Sequence, residues 1–190
     1  TKQDFEDRWL TLGTDSKVGS FSGLKRPPVD SAQDIRPLLG EKGIGRLAIA
    51  VIGRQVLVLT RAKVDGKAED SITAAYIHWG LFELPGIDLD EIVIPLETFR
   101  ADTLPNLEDV QDMVSKARDS LESLASRIDE KVAKSIRNDM DAFKADPRDA
   151  STYLGQPSFD LNGSGTHFYI LPADEIIQDD IDDRDENTKA

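Results

Sequence analysis

"LLGEKGIGRLAIAVIGRQVLVLTRA", residues Leu38–Ala62, decides how the rest of the chain is read. Gly40, Gly43 and Gly45 fall within six residues and lead straight into an apolar run. The run has helical character from about Ile44 to Ile52, and Gly53 is expected to close it in the manner of a C-terminal glycine. "QVLVLTRA" then changes to the β-branched and apolar composition of a strand. Glycines allow positive φ and let a ligand approach the backbone without a Cβ in the way. Amides at a helix start are unpaired and favour an anion. Lys42 and Arg46 add positive charge beside them. Read alone, the segment fits two structures: a loop that wraps a phosphate chain, or a tight turn that caps a core helix.

Downstream, Asp65-Gly66 in "VDGK" signals a hairpin between "QVLVLTRA" and a second strand within "SITAAYIHWGLFEL". "DEIVIPLETF" is a third strand, with Pro95 marking an edge or a strand end. From Leu107 to Phe143 the period changes. Leu107, Val110, Val114, Ala117, Leu121, Leu124 and Ile128 step by three and four, and Val132, Ile136, Met140 and Phe143 continue with a drift in register. Asn106 suits the N-cap, and Asp146-Pro147 is expected to end the run. This is one long amphipathic helix or two joined ones, either packed on its own domain or forming an arm that pairs with a partner. "GSGTHFYILP" supplies a last strand, with Thr166, Phe168 and Ile170 on one face. Upstream, Asp4 to Leu12 reads as a short helix and Val18 to Leu39 as a long loop rich in glycine and proline. The tail after Ala173 is acidic.

The 190 residues carry a net charge of −13, which argues against broad binding to nucleic acid or to an anionic membrane. There are no cysteines, so disulfides, thiolate metal sites and thiol nucleophiles are excluded. No apolar run approaches the ~20 residues of a membrane-spanning helix, and no signal peptide opens the chain, so a cytoplasmic location is expected. The first residue is Thr1, not Met, which suggests a piece of something longer. His78 and His167 stand outside any zinc-ligand spacing and read as structural histidines.

Two phosphate motifs are testable on the glycine segment. A P-loop has no match here. A dinucleotide fingerprint can be placed on Gly43, Gly45 and Ala48 with Asp65 as ribose acid, but it lacks the preceding strand that such a site needs and survives only as a weak alternative.

The wider pattern resembles something else. "W-x-x-x-G-T-x-S-K", a long loop, "G-E-K-G-I-G-R-L-A" and a strand ending in Thr are similar to the GHKL ATPase superfamily: gyrase B, the ninety-kilodalton heat-shock chaperones, sensor histidine kinases, MutL and MORC-type ATPases. The glycine box is most similar to that of bacterial chaperone-like members. The resemblance implies a two-layer α+β sandwich of the Bergerat type, its mixed, mostly antiparallel sheet backed by helices. It implies that Gly40, Glu41, Lys42, Gly43, Ile44, Gly45, Arg46 and Leu47 line the phosphates of ATP. Thr14, Ser16 and Lys17 would stand at the entrance of a lid spanning Val18 to Leu39, and Thr166 would support the adenine pocket. ATP and magnesium are the implied cofactors, and lid closure would favour a homodimer.

Residues 1–99 would then be lid, second glycine box and sheet, 100–150 a helical insertion or arm, 151–173 the final strand region and 174–190 the tail. The family's general-base Glu, its magnesium-binding Asn and its Asp-x-Gly-x-Gly box belong upstream of the lid and have no counterpart here. The resemblance therefore covers the second half of the fold. The alternative function is a non-enzymatic interaction protein that uses the long helix as its surface.

Overall fold

The computed structural model describes residues 48–154, 159 and 163–174. The chain divides in two between Ala48 and Ile49, and the described elements belong almost wholly to the second unit. The expected N-terminal helix, the lid loop, the glycine box up to Leu47 and the acidic tail after Asp174 lie outside the described residues.

α1 (Ala48–Ile52) leads through Gly53 into β1 (Gln55–Arg61). A small hairpin, β2 (Lys63–Val64) and β3 (Lys67–Ala68), turns the chain. Asp65 and Gly66 both adopt positive φ, 49° and 79°, as the Asp-Gly signal requires. β4 (Ser71–His78) returns alongside β1, and β5 (Leu96–Arg100) pairs with its far side. β6 (Gly165–Ile170) closes the sheet on the other side of β1. The order is β5-β4-β1-β6, and every described pair is antiparallel. With its helices, the chain is an α+β protein.

The second strand is shorter than the apolar run suggests. It stops at His78, whose side chain caps a 3-10 turn over Trp79–Leu81. "DEIVIPLETF" likewise divides into a 3-10 turn at Leu89–Glu91 and a strand that starts directly after Pro95, on the sheet edge. The long helical stretch is two helices. α2 (Leu107–Leu124) begins with a capping box in which Asn106 and Asp109 exchange bonds of 2.9 Å. It ends in a 3-10 turn at Ala125–Arg127, and Asp129 caps α3 (Glu130–Ala142). Asp146-Pro147 does not end this run: the helix stops at Ala142. Pro147 is the first residue of α4 (Pro147–Leu154), and Asp146 accepts the Asp149 amide at 2.9 Å.

Alternation sorts the sheet into two faces. Leu57, Leu59, Ile72, Ala74 and Tyr76 point to one face and join Val110, Met113, Val114, Ala117 and Leu121 of α2, Ile136 and Met140 of α3, and Phe143 in one core. The predicted stripe is buried at Val110, Val114, Ala117, Leu121, Leu124, Ile136, Met140 and Phe143, whereas Leu107 and Val132 are exposed and Ala133 faces inward in place of Val132.

Gly53 closes α1 by close approach and not by a left-handed turn. Its φ is not positive, yet a Cβ there would meet the Pro172 carbonyl oxygen at 2.5 Å and Ile170 Cγ2 at 2.6 Å. The Asp174 amide donates to the Ile52 carbonyl at 2.7 Å, so the chain leaving β6 holds the end of α1.

Candidate functional site

Of the residues expected to bind nucleotide, Thr166 is the one the structure describes. Thr14, Ser16, Lys17 and Gly40 through Leu47 lie outside the described residues. Thr166 stands on β6 opposite Thr60 of β1, on the sheet face away from α2 and α3. Thr60 pairs in turn with Thr73 of β4, and Thr73 with Thr98 of β5. One row of threonines thus crosses all four strands. Beside it, towards the start of β1, lies an apolar row of Leu96, Ala75, Val58 and Phe168. Sequence reasoning picked out Thr166 and the strand-ending Thr60, but not Thr73 and Thr98, because their alignment depends on the strand register.

The two hydroxyls at the β1–β6 end of the row touch. Thr60 Oγ1 lies 3.0 Å from Thr166 Oγ1 and 3.2 Å from the Gly165 carbonyl oxygen. A hydroxyl has one hydrogen and two lone pairs. With the Thr60 hydrogen on the Gly165 carbonyl, Thr166 donates to Thr60 and keeps both of its lone pairs. Thr166 is exposed, so this end of the row offers an acceptor to an amino-bearing ligand.

The other face carries its polar groups differently. Gln55, fully buried at the start of β1, donates through Nε2 to the Asp139 carbonyl at 2.8 Å and to the Leu171 carbonyl at 3.2 Å. Its Oε1 accepts the Tyr76 hydroxyl at 2.6 Å. Burial, and then the negative Asp139, hold the Tyr76 phenol well above its ordinary range, so it acts as a fixed donor. Next to Gln55 in register is His78. Its Nδ1 accepts the Gly80 amide at 3.1 Å, which places the proton on Nε2. Nε2 faces Asp139 Oδ2 at 3.4 Å without a formed hydrogen bond, and the same oxygen lies 3.2 Å from Arg54 Nη1. Burial lowers the His78 pKa to about 4, against the pull of Asp139.

His78 is thus buried and bonded through Nδ1 to the Gly80 amide. Among the described residues no group of three potential ligands could hold a metal ion. Gln55 and Asp139 carry no sequence signal for their meeting, since they lie on elements far apart in the chain. A polar residue at the start of β1 and another at the end of β4, Gln55 and His78, was the one available hint.

A cleft at the opposite end of the sheet is lined by Arg61, Asp70, Arg100, Ala101 and Asp102. Its cations are engaged: Arg61 donates to the Glu69 and Phe159 carbonyls, and Arg100 pairs with Asp102 at 2.7 Å. Among the described residues no helix is long and apolar enough to cross a membrane. Compared with protein-family models, curated proteins and solved structures, the chain finds no match.

Proposed function

We propose that the chain is an ATP-binding module, the lid, second glycine box and sheet of a GHKL-type ATPase domain. One observation carries the reading. Thr60, the last residue but one of β1, bonds to Thr166 of the neighbouring strand. Thr60 and Gly165-Thr166 come from two separate parts of the pattern that carries the resemblance. An exposed acceptor hydroxyl suits the amino edge of adenine, and of the apolar row beside it Phe168 is exposed while Val58 and Ala75 are buried. Magnesium would accompany the triphosphate, and lid closure would favour a homodimer in the cytoplasm. The general-base Glu and magnesium-binding Asn of the resemblance have no counterpart in these residues. Nucleotide binding is the activity proposed for these residues.

The apolar stripe of α2 and α3 is consumed by the chain's own core, so the structure offers no support for a pairing arm.

The test is the affinity of the full-length protein for a fluorescent ATP analogue. Gly43→Val and Gly45→Val are expected to abolish binding, because a β-branched side chain disfavours positive φ and fills space needed by phosphate. Lys42→Ala is expected to weaken it less. Circular dichroism controls for folding. Unchanged affinity in a folded Gly45→Val variant would overturn the reading.

A further inference from the structure

His78 is a fully enclosed titratable side chain at the β4 corner, with none of its side chain exposed. Three elements surround it. Gly80, in the 3-10 turn, donates its amide to Nδ1. Arg54, between α1 and β1, brings its guanidinium to the same place: a Cβ on Gly80 would meet His78 Cε1 at 3.0 Å and Arg54 Nη2 at 3.3 Å. Asp139 of α3 faces Nε2. Tyr76, two residues back on the same face, is held as a neutral phenol bonded to Gln55.

We propose that His78 is an acid-sensitive latch, whose protonation breaks the bond that caps the Trp79–Leu81 turn and opens the β4 corner. The geometry gives the reason. A proton added to the neutral ring goes to Nδ1, the nitrogen that accepts from Gly80. Two N–H groups would then point at each other across 3.1 Å, and the cap is lost. The new cation would sit without water beside Arg54. Asp139 pulls the other way, but its Oδ2 is already shared with Arg54 and makes no formed bond to Nε2. Leu81, in the capped turn, is part of the core, so opening the corner exposes apolar surface. The sign follows. Burial, opposed by Asp139, depresses the folded-state pKa from 6.5 to about 4. The stability that neutral His78 contributes is full above the unfolded value and is lost as the pH falls towards the folded one.

The chain has only two histidines, which isolates the effect. Urea unfolding is measured at pH 7 and pH 5 on the full chain, in a His167→Gln background, with and without His78→Asn. The introduced amide oxygen replaces Nδ1 as acceptor for Gly80 and does not titrate. With His78 present, the folding equilibrium constant is expected to fall about 20-fold more between the two pH values than in the His78→Asn variant, from the pKa values of 6.5 and about 4. The carboxylates other than Asp139, which faces His78, have the same surroundings in both proteins and cancel. Equal losses in the two would overturn the latch. Should His78→Asn fail to fold, ring-nitrogen NMR of the unmodified chain decides. A His78 ring still neutral at pH 5 in the folded protein, with the Gly80 bond intact, supports the latch, and a ring that protonates above pH 6 overturns it.

Discussion

The two faces of the sheet handle polar side chains in opposite ways. On the face under α2 and α3, Gln55, Tyr76 and His78 are buried and bonded within the chain. On the other face, threonines cross the strands in a row, and both ends of that row, Thr98 and Thr166, are exposed. The difference separates two jobs. A buried polar group must be bonded or it costs the full loss of its hydration, so Gln55 uses its amide to hold α3 to the sheet, and His78 Nε2 is left facing Asp139 without a formed bond. Hydroxyls at an exposed edge can exchange one another for water or ligand at little cost.

The sharpest way to break this contrast is at the helical layer. Leu121 and Leu124 are buried, Leu121 in the core beneath the sheet, so Leu121→Glu with Leu124→Glu is expected to unfold the chain and leave no folded monomer. A folded monomer with unchanged melting would mean that the helices do not cover this face in solution.

A smaller loss is expected inside the polar set. Gln55→Ala removes two donated bonds and strands the Tyr76 hydroxyl, which amounts to about 3 kcal/mol in urea unfolding. Tyr76→Phe strands one acceptor only, and about 1–2 kcal/mol is expected. If both changes proved neutral, the network would be hydrated in solution and the two faces would be alike.

The smallest effect on stability belongs to the threonine row. Thr166→Val keeps the shape and removes the hydroxyl bonded to Thr60, at an expected cost of about 0.5 kcal/mol because the site is exposed. Affinity for the ATP analogue should nevertheless fall, by roughly tenfold for one lost hydrogen bond. A large loss of stability with unchanged affinity would place Thr166 with the structural set.

Local signals in the sequence account for several elements, each for a nearby reason. Asp65-Gly66 needs positive φ and turns the hairpin. Asn106 caps α2, and Pro95 keeps β5 at the sheet edge, where a missing amide is tolerated. The α2 stripe is legible because helical period and burial agree along it. Other features depend on distant partners. The hairpin tip pairs Lys63 with Ala68, yet three residues back along β1 and five along β4 bring Thr60 to Thr73. That offset of two residues preserves the faces but moves every cross-strand pair, so the threonine row could not be read from the turn. Asp146-Pro147 looks the same whether a helix ends before it or starts at it, and only packing decides. Gly53 was legible as a helix stop, while its reason, the Pro172 carbonyl pressed against it, comes from the far end of the chain.

The sequence by itself determined the elements whose causes lie within a few residues: turn, caps, strands and the amphipathic phase of α2. It also placed Thr166 on a strand and ruled out thiol chemistry. Tertiary structure alone decided which strand β6 joins, that Thr166 meets Thr60, and that Gln55 finds Asp139 across the core. The physical reason is range. Backbone dihedrals and side-chain periodicity are set by neighbours in the chain, whereas a hydrogen bond between buried groups depends on register and packing that no local pattern encodes.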